Sequence, residues 1–283
     1  MHAKKLQADV LLLLVAIIWG FAFVAQRLCL ELLGPFGFYS LLFFFKAPAD
    51  HCHKRLFVSG LMAGGVLFAG ASFQQAGLVY TTAGNAGFIT GLYIIFVPLL
   101  GLWFGQQTNI NTWIGGSLAV IGLYLLSFHQ LTQVNQGDVL EICGALCWAA
   151  HVLLIAKLAP KVDNLRLSIT QFLVCAALSA LVALILETEQ LTLHNALNSW
   201  APIAYAGLIS VGIAYTLQIV AQKHSPPAHA AIIMSLEAVA AAFGGWLILN
   251  EGFTLFGLLG CSLMLLGMLL SQLPSLYKRD KHH

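Results

Sequence analysis

The sequence predicts an all-α integral membrane protein: ten transmembrane helices arranged as two inverted five-helix repeats. Three observations carry that prediction. Of 283 residues, 59% are hydrophobic and only 8% charged, where a soluble domain carries about 25% charge, so the chain holds more apolar surface than a water-facing fold can cover. The apolar residues fall in runs long enough to cross a hydrocarbon core, separated by short polar breaks. Segments of the first half also reappear in the second.

Taken in order, the spans are read at about 10–26, 34–48, 57–79, 84–105, 111–130, 138–157, 167–186, 200–222, 228–249 and 254–273. The first is followed by further spans and not by a cleavage site, which argues against a removable signal peptide. The second is the shortest: FGFYSLLFFF is stopped by Lys46, Pro48 and Asp50, so it is short, tilted, or completed by Lys46 reaching to the interface. In the fourth, Pro98 removes a backbone donor and is a candidate kink. Gly60-Gly64, Gly87-Gly91 and Gly101-Gly105 carry the spacing that lets helices approach closely. Gly34-Pro35, Pro160 and Pro226-Pro227 punctuate the connections, which leave no room for a soluble domain. The last of these, with His224 and His229, reads as a turn or gate between the eighth and ninth spans.

Orientation follows from the cations. Of the 13 Lys and Arg, all but Arg27 fall on the side of the N-terminus, so both termini are expected in the cytoplasm and the host is the cytoplasmic (inner) membrane. Glu31, Asp138, Glu187, Glu189 and Glu251 are then expected at the outer surface. Trp103, Trp113, Trp200 and Trp246 fall near span ends, as interfacial anchors do, whereas Trp19 and Trp148 lie deeper.

Those two deep tryptophans mark the repeat. AIIWGFAF around Trp19 aligns with ALCWAAHV around Trp148 at an offset of 129, and GFITGLYIIFVPLLG around Tyr93 aligns with AIIMSLEAVAAAFGG around Glu237 at 144. The units are expected at 1–131, with the short second helix, and 132–283. Five helices is an odd number, so the second copy enters from the opposite side and a pseudo-two-fold axis lies in the membrane plane.

WGFAF near the start, LVYTTAGNAGFITGLYIIFVPLLG, and HSPPAHAAIIMSLEAVAAAFGGWLILNEGFTLFGLLG together resemble the EamA-type branch of the drug/metabolite transporter superfamily, over nearly the whole chain. The resemblance implies a ten-helix secondary carrier with a central cavity, exporting or exchanging amino acids, other metabolites or drugs by alternating access. Two positions depart from the family pattern. Gly105-Gln106-Gln107 stand where a Glu often follows the fourth helix, and Lys46 is the nearest substitute for an Arg usual in the second. The membrane-embedded Glu that small multidrug exporters carry in their first helix has no counterpart between Asp9 and Glu31.

The residues themselves point to a site around Glu237, the one charge in the 22 residues between Pro227 and Asn250. A carboxylate facing lipid at mid-depth costs about 3 kcal/mol or more, so it is expected to face inward. Ala230, Ala240, Ala241 and Gly244 share its face and leave room for a neighbour. Glu237 is thus the candidate for proton coupling or for binding a substrate amine, against a structural, protonated Glu. The other expected substrate-binding residues are Trp19, Gln74, Tyr93, Trp148, His151, Tyr215 and Gln218. Gln74 and Gln218 match across the 144 offset and suit a zwitterion; His151 shares a face with Trp148 and suits hydrogen bonding or proton relay. Trp19 and Trp148 suit stacking, and Tyr93 sets a hydroxyl opposite the Glu237 carboxylate. For each, ordinary helix packing is the competing reading.

No HExxH, GxSxG, GxxxxGKS or paired CxxC occurs, so an enzyme or an ATP-driven pump finds no support in the motifs. No cofactor, metal or nucleic acid is expected; the partners are a small-molecule substrate, the lipid bilayer and, for a coupled carrier, protons. An uncoupled facilitator of the same fold stays open as an alternative, as does a membrane-embedded enzyme or assembly protein.

Overall fold

The computed structural model describes residues 2–29, 54–80, 83–106, 108–127, 135–187, 189, 192–249 and 254–273. Among them the chain is helical, with no strand. In chain order the helices are α1 His2–Cys29, α2 Lys54–Tyr80, α3 Ala83–Gly91, α4 Tyr93–Trp103, α5 Ile110–Ser127, α6 Gln136–Leu158, α7 Asn164–Leu186, α8 Leu193–Asn198 and α9 Trp200–Ala204. A π-helical segment, Tyr205–Tyr215, runs on into α10 Thr216–Gln222, and α11 Pro227–Met234, α12 Glu237–Leu249 and α13 Leu255–Gln272 complete the set. The expected second span at 34–48, with Lys46, lies outside the described residues, as do Glu31 and Glu251.

Six segments are long and apolar enough to cross a membrane: Lys4–Ala22, Leu56–Tyr80, Gln136–Leu158, Asn164–Leu186, Tyr205–Gln222 and Pro227–Ile248. Ile89–Trp103, Ile110–Leu126 and Leu255–Ser271 are shorter apolar helices. The helix starts use polar caps. Asn135 and Asp138 form a reciprocal capping box at α6, Asp163 accepts from the Arg166 amide at α7, and Thr254 accepts from the Gly257 amide at α13.

Lipid offers no hydrophobic force between helices, so close backbone approach at small residues holds them together. α5 and α13 meet in this way. A Cβ on Gly122 would come within 2.5 Å of the Gly260 carbonyl, and Gly115 meets the Gly267 carbonyl just as closely. Gly60 and Gly64 seat α2 on Thr170 and Val174 of α7, as their spacing suggested. Gly87 and Gly105 do not follow that reading, since nothing lies within 4 Å of either; Gly105 is instead needed for a left-handed φ of 72° at the end of α4.

The main apolar core gathers Leu12 and Val15 of α1, Val97 of α4, Ala149 and Val152 of α6, Ala221 of α10 and Ile233 and Met234 of α11. Every residue from Ala228 to Ala238 is buried, whereas Phe243, Trp246, Leu247 and Ile248 are exposed, so α12 emerges from the bundle as it proceeds. Near the start of α1 a buried polar cluster joins three helices. His229 Nε2 lies 3.1 Å from Asp9 Oδ1, its Nδ1 lies 3.2 Å from Ser271 Oγ, and Ser271 Oγ donates to the Met268 carbonyl at 2.7 Å. His229 is therefore a tie between α1, α11 and α13 as well as part of a turn. Asp138 and Glu187, expected at the surface, are 7% and 8% exposed. Trp103 and Trp200 do stand out, at 85% and 68%.

Candidate functional site

Two long apolar spans read as continuous in the sequence are broken in the structure, at corresponding places. α3 and α4 part at Leu92; α11 and α12 part at Ser235-Leu236. At each break the backbone tightens to bonds three residues apart. Leu92 N–H donates to Ile89 and Ile95 N–H to Leu92, as Leu236 N–H donates to Ile233 and Ala238 N–H to Ser235. Pro98 is not the cause, because it lies six residues beyond the first break and the second has no counterpart to it. Ser235 contributes at the second break, its Oγ donating back to the Ile232 carbonyl at 2.8 Å. The residue that opens the following helix is Tyr93 in one case and Glu237 in the other. Glu237 thereby stands in the first turn of α12.

Small residues bring α1 against this second break. A Cβ on Gly20 would meet the Glu237 carbonyl at 2.6 Å and the Ala241 amide at 2.7 Å, and would collide with Ala240 Cβ. Ala240 and Ala241 are thus the slim face that the sequence suggested, with α1 as the neighbour.

Between the breaks lies a cavity of about 700 Å³, counted out to its mouth. All eight residues expected at a substrate site line it: Trp19, Gln74, Tyr93, Trp148, His151, Tyr215, Gln218 and Glu237. Tyr215 is the hub of its aromatic wall. Its ring centroid is 4.7 Å from that of Trp19, 6.4 Å from Trp148, 6.1 Å from His151 and 5.9 Å from Phe172. The π-helical segment explains how one strand of backbone serves α1 three times. Bonding five residues apart stacks Tyr205, Ser210 and Tyr215 along one side. Tyr205 Oη donates to the Ile18 carbonyl at 3.0 Å, the Ser210 carbonyl accepts from Trp19 Nε1 at 3.3 Å, and Tyr215 packs on the Trp19 ring.

The polar groups divide into satisfied and unsatisfied ones. Trp148 Nε1 donates to Gln74 Oε1 at 2.8 Å, and the Gln74 amide nitrogen faces Gln26 Oε1 at 3.5 Å. His151 Nε2 is 3.1 Å from Gln171 Oε1 of α7. Gln218 differs from its counterpart Gln74: it is 1% exposed and its Oε1 has no hydrogen-bond partner. The Tyr93 hydroxyl and the Glu237 carboxyl lie within electrostatic reach, although the hydroxyl makes no bond of good geometry. Among the described residues no three His, Cys, Asp or Glu side chains converge as a metal site would require.

Sequence reasoning missed Gln26, Thr90 and Ser210 on the cavity wall, and Gln171 behind His151. Gln26 is seven residues from Trp19 and Thr90 three from Tyr93, so helical periodicity held a signal for both. Gln171 reaches His151 from another helix, and no local pattern announces that.

The family model of the EamA-like transporter family matches the chain twice, over residues 6–128 and 135–273. The chain belongs to the EamA-like transporter family. Among similar proteins, an uncharacterized transporter of Archaeoglobus fulgidus is 31% identical over 273 residues, covering 95% of this chain and 87% of that one. The uncharacterized transporter YoaV of Bacillus subtilis is 21% identical over 280 residues, covering 91% and 94%. A solved crystal structure superposes with a TM-score of 0.77 at 15% identity, over 94% of this chain and 96% of that one, a likeness of fold alone. As an EamA-family chain with six long apolar helices, the protein is a multi-pass membrane protein of a transporter family.

Proposed function

We propose that the protein is a secondary active transporter, an exporter or exchanger of amino acids or similar small metabolites or drugs, working by alternating access across the cytoplasmic membrane. The observation that carries this reading is the cavity at the paired helix breaks, lined by the Glu237 carboxyl, the Tyr93 phenol and the unpaired Gln218 amide oxygen. Broken apolar segments at corresponding positions of two halves are what a midplane transport site looks like, because only a helix break frees backbone groups for a ligand at that depth. Related packing also supports two inverted five-helix units, 1–131 and 132–283. α1 packs on α12 and on the π-helical segment, as α6 packs on α4 and on α2. Ten spans, with both termini in the cytoplasm, follow from the side on which the cations fall.

The cavity suits a small molecule with a cationic or amine end and an apolar body. Glu237, 8% exposed and at a helix start, holds the amine or a proton in its place. Trp19, Trp148 and Tyr215 cover the apolar part, while the Gln218 carbonyl oxygen accepts a hydrogen bond. Gln74 and His151 hold the wall, since both already bond within the protein.

The test is counterflow of labelled amino acids in proteoliposomes, repeated with an imposed pH gradient for wild type and Glu237→Gln. Counterflow with a gradient response lost in the variant is the expected result. Identical responses in both would remove the role given to Glu237, and absence of counterflow across a broad metabolite set would remove transport of this class.

A further inference from the structure

Glu141 belongs to none of the features described so far. It lies on α6, six residues in from the helix start, and is 0% exposed. Its carboxyl rests on the backbone of α2, where a Cβ on Gly77 would meet Oε1 at 2.7 Å and Cγ at 2.9 Å. Thr90 Oγ1 of α3 donates to Oε2 at 3.0 Å, and Oε1 has no partner. Thr90 is itself 3% exposed and lines the cavity, one helical turn from Tyr93. Thr90 thus sets its hydroxyl between Glu141 and the cavity whose wall also holds Tyr93 and Glu237.

We propose that Glu141 is a second proton-binding site of the transporter, loaded from the cavity through Thr90. This rests on the transport reading above. The size of the site selects the ligand. Glu141 packs against Gly77 and Thr90, and one hydroxyl with one free carboxyl oxygen is too small a donor set for a metal. An ionised carboxylate so buried carries one hydrogen bond and no counter-charge, an arrangement that favours taking up a proton. Among the described residues, the groups facing it from α2 and α3 are Gly77 and Thr90, both uncharged; the charged group that acts on it is Asp138, one turn earlier on α6 and engaged in the capping box. In the transfer, a hydronium ion in the cavity gives a proton to a lone pair of Thr90 Oγ1 and is left as water, as the hydroxyl's own proton passes to Glu141 Oε2. The carboxylate becomes a carboxylic acid, and loss of that proton with rotation of the hydroxyl resets the pair.

The experiment uses the full chain in liposomes and a hydrophobic carbodiimide, which modifies protonated carboxyls in apolar surroundings, with the modified residue mapped by peptide mass spectrometry. The expected result is labelling at Glu141 that falls as pH rises, is absent in Glu141→Gln, and has a shifted pH midpoint in Thr90→Val. In transport, the ratio of gradient-driven flux to counterflow should fall about tenfold or more in Glu141→Gln and partly recover in Glu141→Asp. Labelling unchanged across the pH range, or a wild-type flux ratio in Glu141→Gln, overturns the proposal. If wild type itself shows no counterflow, the transport reading has failed, and the labelling midpoint with Thr90→Val still decides whether the proton site exists.

Discussion

Gly20→Ala adds one methyl group where α1 meets the broken ninth span, and its consequence can be worked out from the contacts. The new Cβ would lie 2.6 Å from the Glu237 carbonyl oxygen and 2.7 Å from the Ala241 amide nitrogen. Both are backbone atoms, so no side-chain rotation relieves the contact. To restore ordinary packing near 3.4 Å, α1 must retreat by about 0.8 Å, a gap that forfeits a quarter to a half of the dispersion along the seam. Overpacking of this kind costs about 1–3 kcal/mol. The same retreat moves Trp19 away from Tyr215 and loosens the Trp19 bond to the Ser210 carbonyl, so the cavity wall opens with the seam. Thermal unfolding in detergent and counterflow in proteoliposomes measure the two effects. Gly65→Ala, with nothing within 4 Å of the added carbon, is the matched control. Gly20→Ala should lower the unfolding temperature and counterflow together, while Gly65→Ala leaves counterflow unchanged and raises the unfolding temperature slightly, as replacing a helix-interior glycine stabilises by about 0.5–1 kcal/mol. A Gly20→Ala protein as stable and active as wild type would show that α1 does not lie on the Glu237 backbone.

Two further substitutions test the polar groups. In Gln218→Leu a buried acceptor without a partner is replaced by an apolar side chain of similar size; relief of about 1–3 kcal/mol should raise the unfolding temperature, while substrate half-saturation in counterflow weakens by about tenfold. Loss of stability with affinity retained would mean that the amide is structural. Asp9→Ala leaves His229 Nε2 unpaired in a buried cluster, which should cost about 1–3 kcal/mol in urea or thermal unfolding. An unfolding curve superimposable on wild type would show that the tie between α1, α11 and α13 contributes nothing.

Much of the candidate site was legible because intramembrane polar residues are costly and therefore informative. Trp19, Tyr93, Trp148 and Glu237 were found by matching two halves of the chain, and the structure brings them to one cavity along with Gln74, His151, Tyr215 and Gln218. The breaks at Leu92 and Ser235-Leu236 were not legible. The FITGLY and MSLE stretches have no proline at the break, and a turn bonded three residues apart differs from an α-turn by too little for local preference to reveal it. Glu141 escaped for a different reason: so near the start of its span, it is compatible with a solvated interface until Gly77 and Thr90 are seen to close over it.

The sequence by itself determined the membrane class, through composition and periodicity that the bilayer imposes residue by residue, and, through matched motifs, the family and the pairing of the halves. Which of two equivalent glutamines keeps a free oxygen, which helix covers Glu237, and where a π-helical segment turns three residues toward α1 were decided only in three dimensions. Those outcomes depend on contacts between helices far apart in the chain. Trp148 satisfies Gln74, whereas its counterpart Trp19 bonds the Ser210 carbonyl across the bundle, and the Gln218 oxygen is left unpaired.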